Sequence, residues 1–273
     1  MIQNNELDKV GLEVTDLSNG AAYATRHRQS RSSTLQMEGL NQLALAFVDH
    51  PETIIQELVT AAVRLCGADS AGVSIEREGG TDEQFYQWIA TAGEYSPFLN
   101  ASLPRYPSAC TVCLERGTPQ LFRVDQRFFD ILGVEAALVQ DGILLPWQTD
   151  EMRGTIFVIS HTEAEAFDAE DLHLMQILAN FAAMGIRQQR QQEKLLAQAR
   201  ATAAMAMAND LAHEINNPLQ SLTNLLYIAK QESGIGDEQS LALKLESDFE
   251  RLSILTRILL TLPRKNAEDR VPH

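Results

Sequence analysis

From residue 204 onward, apolar side chains recur at alternating steps of four and three. Ala204, Ala208, Leu211, Ile215, Pro218, Leu222, Leu225 and Ala229 form one such series. Only a helix presents residues spaced in this way on a single face. Gly234-Ile235-Gly236-Asp237 interrupts the repeat, which resumes through Leu241, Leu245, Asp248, Leu252, Leu255, Leu259 and Leu262 until Pro263. Two helices joined by so short a loop form an antiparallel pair. Their apolar stripes are wider than one partner covers. A four-helix bundle built by two copies of the hairpin meets that demand, so a homodimer is expected.

The 273 residues have room for about two domains. Lysine and arginine number 22 against 37 aspartates and glutamates, a net charge of −15. That balance argues against holding nucleic acid or an anionic membrane by bulk charge. No run approaches the roughly 20 apolar residues of a membrane span. The N-terminus has no basic-then-apolar leader, and three cysteines are too few for a disulfide framework. A cytoplasmic protein with no nucleic-acid partner and no membrane span is expected.

Residues 1–34 are polar and without period, and are expected to form a disordered arm. Helical spacing begins with Leu40, Leu43, Phe47 and Val48. It returns over 52–66, where Ile54, Ile55, Leu58, Val59, Ala62 and Leu65 share a face. Short strands follow at 71–75, 85–90, 120–124, 143–145 and 155–159, with Gly79-Gly80 as the first hairpin turn. The stretch between Gly93 and Gly133 is irregular and proline-rich. This order predicts an α+β domain over 35–187, an antiparallel sheet flanked by helices.

Asp168 opens a long helix as its N-cap, with Asp171 at the capping-box position. Leu172, Met175, Ala179, Ala182 and Ile186 form a heptad seam. No glycine or proline lies between Arg187 and Asn217, so the helix is expected to run through a linker at 188–203 into the hairpin at 204–263. A tail at 264–273 completes the chain. The first seam, carried forward, falls one residue out of phase with the hairpin seam. We hypothesise a switch in the weakly apolar stretch 187–203 that rotates the hairpin. Inserting one residue near Gln191 should change the output, and unchanged behaviour would remove the idea.

His213 lies two residues after Leu211 and two before Ile215, on the opposite side of the helix from both. An exposed imidazole on a rigid helix suits a nucleophile that a second domain must reach, although exposed histidines also occur with no role at all. Glu214 is placed to hold or deprotonate the ring, and Asn217 shares its face one turn on. Pro218 cannot donate to the carbonyl of Glu214 and should loosen the helix there.

His213-Glu214-Ile215-Asn216-Asn217-Pro218-Leu219, with Asn209-Asp210-Leu211-Ala212 before it, resembles the H-box of sensor histidine kinases. Residues 201–263 are similar to the whole HisKA-type dimerisation and phosphoacceptor domain. The resemblance implies that His213 is the phosphoacceptor, Glu214 its acid–base partner, and Glu214 with Asn217 a phosphatase-type pair. It also implies a response-regulator receiver domain as partner.

Residues 35–187 resemble a GAF domain, a sensory fold often placed before such hairpins. Ser108 to Pro119, Ile143-Leu144-Leu145-Pro146, Gly154 to Val158 and Phe167 to Asp171 carry the likeness. Cys110 and Cys113 read as ordinary small helix residues, a redox pair, half a metal site or a thioether anchor. Neither is followed by histidine, as bilin-binding GAF domains usually require, and the asparagine-lysine-phenylalanine-aspartate signature of cyclic-nucleotide GAF domains is missing. His161 after the last strand reads as a loop residue or a haem ligand. Trp88, Phe122, Phe128, Phe129 and Trp147 are candidates to line a pocket or to fill the core. Trp88, Cys110, Cys113 and Phe129 are the pocket residues carried forward, with no metal site and no assigned cofactor.

The expected protein is thus a cytoplasmic two-component signalling dimer. A GAF sensor is joined by a long helix to a histidine hairpin that exchanges phosphoryl groups with a kinase domain in trans, a response regulator, or both. Clustered glycines of the kind that cradle a phosphate occur only as Gly79-Gly80 and Gly234-Ile235-Gly236, and neither is expected between a strand and a helix. Phosphorylation by ATP is therefore expected only through a partner kinase domain. The alternative is a non-catalytic sensor or adaptor, or a fragment of a longer kinase, that only docks a response regulator.

Overall fold

The computed structural model describes residues 4–18, 23, 26, 33–77, 79–231 and 238–261. The chain divides into two units, 1–192 and 193–273. The first holds α1 (Asn4–Lys9), β1 (Leu12–Asp16), α2 (Ser33–Asp49), α3 (Ile54–Cys66), β2 (Ser70–Glu76), β3 (Tyr86–Gly93) and β4 (Ser102–Leu103). It continues with α4 (Ala109–Arg116), β5 (Gln120–Val124), α5 (Gln126–Leu132), β6 (Val139–Gln148) and β7 (Arg153–Ser160). The helix α6 (Ala169–Gln231) begins in this unit, and α7 (Glu238–Thr261) follows it.

Among the described residues, seven strands form one antiparallel sheet in the order β1-β5-β6-β7-β2-β3-β4. Its central strands are apolar on both faces, because successive side chains point to opposite sides and both sides are covered. In β7, Ile156 and Val158 enter one core while Phe157 and Ile159 enter the other. In β6, Ile143, Leu145 and Trp147 share the side of Ile156, and Leu144 faces away.

The first core lies between the sheet and α2, α3 and the start of α6. Gly185 marks a close crossing of α6 over α3. A Cβ there would stand 2.7 Å from Ile55 Cδ1 and 3.0 Å from Ile54 Cγ2. Phe47 and Phe181 meet edge-on at 6.1 Å, and Gln189 Nε2 donates to the carbonyls of Pro51 and Glu52 at 3.0 Å each. The heptad seam expected from Leu172 to Ile186 belongs to this core. Met175, Ala179, Ala182 and Ile186 are buried against the domain's own sheet and helices. The seam that the phase-offset hypothesis carries forward along the helix is thus, up to Ile186, part of the domain core. A heptad spacing shows which face is buried, not what buries it.

The expected capping box is present. The Asp168 carboxylate accepts from Glu170 N at 2.9 Å and Asp171 N at 3.3 Å, and Asp171 Oδ2 accepts from Asp168 N at 3.3 Å. From there α6 runs unbroken through 188–203 to Gln231.

The arm at 1–34 departs from expectation. Residues 12–16 form β1 and pair with β5, matching Leu12 with Val124 and Asp16 with Gln120. Leu12 and Val14 are buried while Glu13 and Thr15 are exposed, a two-residue period too short to stand out among charged neighbours. Leu7 of α1 is fully buried beside them. Further on, Tyr23 Oη donates to Asp168 O at 2.7 Å, and Arg26 Nη1 lies 2.9 Å from Asp141 Oδ2. The arm therefore reaches both the sheet edge and the start of α6.

In the second unit, Pro218, Leu222 and Leu255 are buried, and Leu211, Ile215, Leu225, Leu245 and Leu252 are half-buried. These all belong to the two expected stripes. The expected break at 234–237 and the tail at 264–273 lie outside the described residues. No helix among the described residues is long and apolar enough to cross a membrane.

Candidate functional site

Two short helices roof the second face of the sheet. Ser108 caps α4, its hydroxyl accepting from Cys110 N at 3.2 Å, and Gly117 ends it in the left-handed region. Asp125 caps α5 in the same way, accepting from Arg127 N at 2.9 Å, and Gly133 ends it. Between these helices and the sheet is a cavity of about 490 Å³.

Its walls are mainly apolar, and seven of the lining residues are aromatic. Trp88 stacks on Tyr95 at 5.6 Å and 22°, and meets Phe157 at 5.2 Å and Phe98 edge-on at 6.1 Å. Phe128 and Phe129 line the cavity from α5. Tyr95 Oη donates to Ala137 O at 2.7 Å, and burial pushes its phenol pKa up. Glu83 is the one charged residue that lines the cavity among the described residues.

Trp88, Cys110 and Phe129, expected at a pocket, all line this cavity, together with Phe122 and Phe128. Cys113 does not. It is buried with Sγ 3.6 Å from both Thr118 O and Leu144 O, turned into the packing beneath α4. Trp147 lies in the opposite core and donates to Ser74 O at 3.2 Å. Tyr95, Phe98 and Phe157 were not anticipated. Strand alternation was the available signal for Phe157, since its neighbours Ile156 and Val158 occupy the other face.

Cys110 Sγ accepts from Thr155 Oγ1 at 3.2 Å and from Ser74 Oγ at 3.7 Å, two hydroxyls that are 2.7 Å apart. Burial raises the pKa of both helix thiols, that of Cys113 strongly. The thiolate that redox exchange, metal binding or thioether chemistry needs is therefore disfavoured. All three cysteines are buried thiols outside any disulfide. Among the described residues, no group of three or more His, Cys, Asp or Glu side chains is arranged to hold a metal.

His161 is committed structurally. Its Nδ1 lies 2.7 Å from Leu138 O, which can only accept, so Nδ1 carries the hydrogen. Its Nε2 is 2.9 Å from Ser70 Oγ, and that hydroxyl accepts from Tyr95 N at 3.1 Å. Both ring nitrogens are engaged, which removes the residue from haem ligation.

In the second unit, His213, Glu214 and Asn217 are exposed on α6, while Pro218 is buried. Helix spacing puts His213 and Asn217 one turn apart on the same side. The helix continues through Pro218, which supplies no hydrogen to the Glu214 carbonyl.

One antiparallel sheet, backed by helices on one face and enclosing an apolar cavity on the other, defines an α+β domain. The GAF domain family matches residues 50–186, about half of the chain, and the chain belongs to that family. The chain is also similar to solved GAF-domain structures. The GAF domain of a candidate sensor histidine kinase from Pseudomonas syringae pv. tomato is 20% identical, with a TM-score of 0.42 over 61% of this chain and 95% of that one. The phycoerythrobilin-bound GAF domain of a cyanobacterial phytochrome is 15% identical, with a TM-score of 0.43 over 59% and 99%. The GAF-B domain of DevS from Mycobacterium smegmatis is 21% identical, with a TM-score of 0.41 over 53% and 98%. No curated protein matches the chain.

Proposed function

We propose that this chain is a two-component signalling protein in which a GAF pocket senses a small molecule and His213 exchanges phosphoryl groups. The hairpin, in this reading, is a HisKA-type dimerisation domain. The observation that carries it is the exposure of His213, Glu214 and Asn217 within His-Glu-Ile-Asn-Asn-Pro-Leu, beside a stripe in which Pro218 and Leu222 are buried. A phosphoacceptor needs this arrangement: a fixed backbone and a free imidazole.

In phosphorylation, a His213 ring nitrogen attacks the γ-phosphorus of ATP held by a kinase domain in trans. A P–N bond forms as the bond from phosphorus to the β–γ bridging oxygen breaks. ADP leaves with the electron pair, and Glu214 takes the ring proton. Transfer to a receiver-domain aspartate forms a P–O bond and breaks the P–N bond. In the phosphatase step, Asn217, one turn from His213, positions a phosphoryl oxygen or the water that attacks the aspartyl phosphate, breaking its P–O bond and releasing inorganic phosphate. Exposed apolar residues in the same unit, among them Met205, Met207, Phe249 and Ile254, are consistent with further packing in a homodimer.

His213→Gln tests the reading. Lost phosphotransfer with an intact dimer supports it, and unaltered signalling establishes the adaptor alternative. Equilibrium sedimentation tests the dimer.

A further inference from the structure

We propose that the GAF cavity takes an uncharged, planar aromatic molecule and discriminates against anions. This rests on the reading of that cavity as the sensory site. Its volume of about 490 Å³ falls within the range of roughly 300–1,000 Å³ typical of small-molecule sites. Trp88, Tyr95, Phe98 and Phe157 present ring faces and edges that are already in mutual contact, so a flat guest extends an existing stack.

Side-chain charge argues against an anionic guest. No lysine, arginine or histidine is among the described residues that line the cavity, and the one charge present is the exposed carboxylate of Glu83. His161 abuts the wall through Tyr95 at 4.9 Å, but its nitrogens are occupied by Ser70 and Leu138. A phosphate or carboxylate buried here would lose its hydration with no cationic side chain to replace it.

The test uses a matched pair of dyes on the full chain. N-phenyl-1-naphthylamine is neutral, and 8-anilinonaphthalene-1-sulfonate adds one sulfonate to the same skeleton. The chain has two tryptophans, so Trp147→Phe leaves Trp88 as the sole reporter. The neutral dye should quench Trp88 with 1:1 saturation and bind at least tenfold more tightly than the sulfonate. Ile131→Arg places a cation at an exposed position of the lining and should narrow or reverse that preference. Calorimetry on the unmodified chain repeats the comparison without relying on either variant.

Equal or tighter binding of the sulfonate would overturn the ligand class and leave the cavity as a binding site. A preference unchanged by Ile131→Arg would contradict the charge argument. Failure of both dyes to reach Trp88 would overturn the sensory reading and the inference with it.

Discussion

Replacing Arg26 by alanine strips the counter-charge from a carboxylate shut away from water. Arg26 Nη1 sits 2.9 Å from Asp141 Oδ2, with the two side chains 10% and 0% exposed. Asp141 Oδ2 also accepts from Phe167 N at 3.3 Å, while Oδ1 has no hydrogen-bond partner among the described residues. Removing one member of a buried pair typically costs about 3–5 kcal/mol, because the remaining charge is left uncompensated. At about 2–4 °C per kcal/mol for a unit of this size, the melting point should fall by roughly 10 °C.

The loss should depend on pH. Burial raises the Asp141 pKa and Arg26 opposes that rise, so Arg26→Ala raises it further. The folded state then holds the proton more tightly than the unfolded one. Stability therefore falls as pH rises from the ordinary carboxylate value through the raised folded value. The deficit of the variant is full at neutral pH and shrinks in acid. Urea unfolding at pH 7 and pH 5 measures both quantities. The double variant Arg26→Ala/Asp141→Asn should recover part of the loss, since no charge is left unpaired. A deficit below about 1 kcal/mol at pH 7, or an equal deficit at both pH values, would refute the reasoning.

Other expectations follow from packing and burial. Gly185→Leu should cost about 1–3 kcal/mol in urea unfolding, because its side chain must displace Ile54 and Ile55 at the helix crossing. A thiol reagent at pH 8 should find none of Cys66, Cys110 and Cys113 in the native chain and all three after denaturation. Burial pushes the Tyr86 phenol up to about 12 and those of Tyr23 and Tyr95 up as well. Phe substitution at any of the three should therefore leave the 295 nm titration below pH 11 unchanged while the fold holds. Stability from these phenols is complete below the unfolded tyrosine pKa of about 10 and is lost as pH rises through the folded values.

Much of the sheet was readable because its signals are local. The strand expected at 120–124 is β5 at those bounds, and the one expected at 155–159 lies inside β7. β1 was hidden because its partner is β5, more than 100 residues away, and only Leu12 and Val14 mark its buried face. The heptad from Leu172 to Ile186 identified a buried stripe correctly, but its partner is the domain's own core. At the cavity, Trp88 and Phe129 stood out by residue type. Tyr95 and Phe157 enter it through a turn after β3 and the far side of β7, which residue type does not disclose. Cys113 followed Cys110 by motif, yet three residues along a helix turned its thiol away from the cavity.

The measurement closest to the central claim is phosphoryl transfer onto the full chain from a histidine-kinase catalytic domain charged with labelled ATP, followed by mapping of the modified residue. The account predicts an acid-labile, base-stable label at His213, absent in His213→Gln, and transferable to a receiver-domain aspartate. A label on another residue, or none with kinase domains that phosphorylate HisKA hairpins, would contradict it.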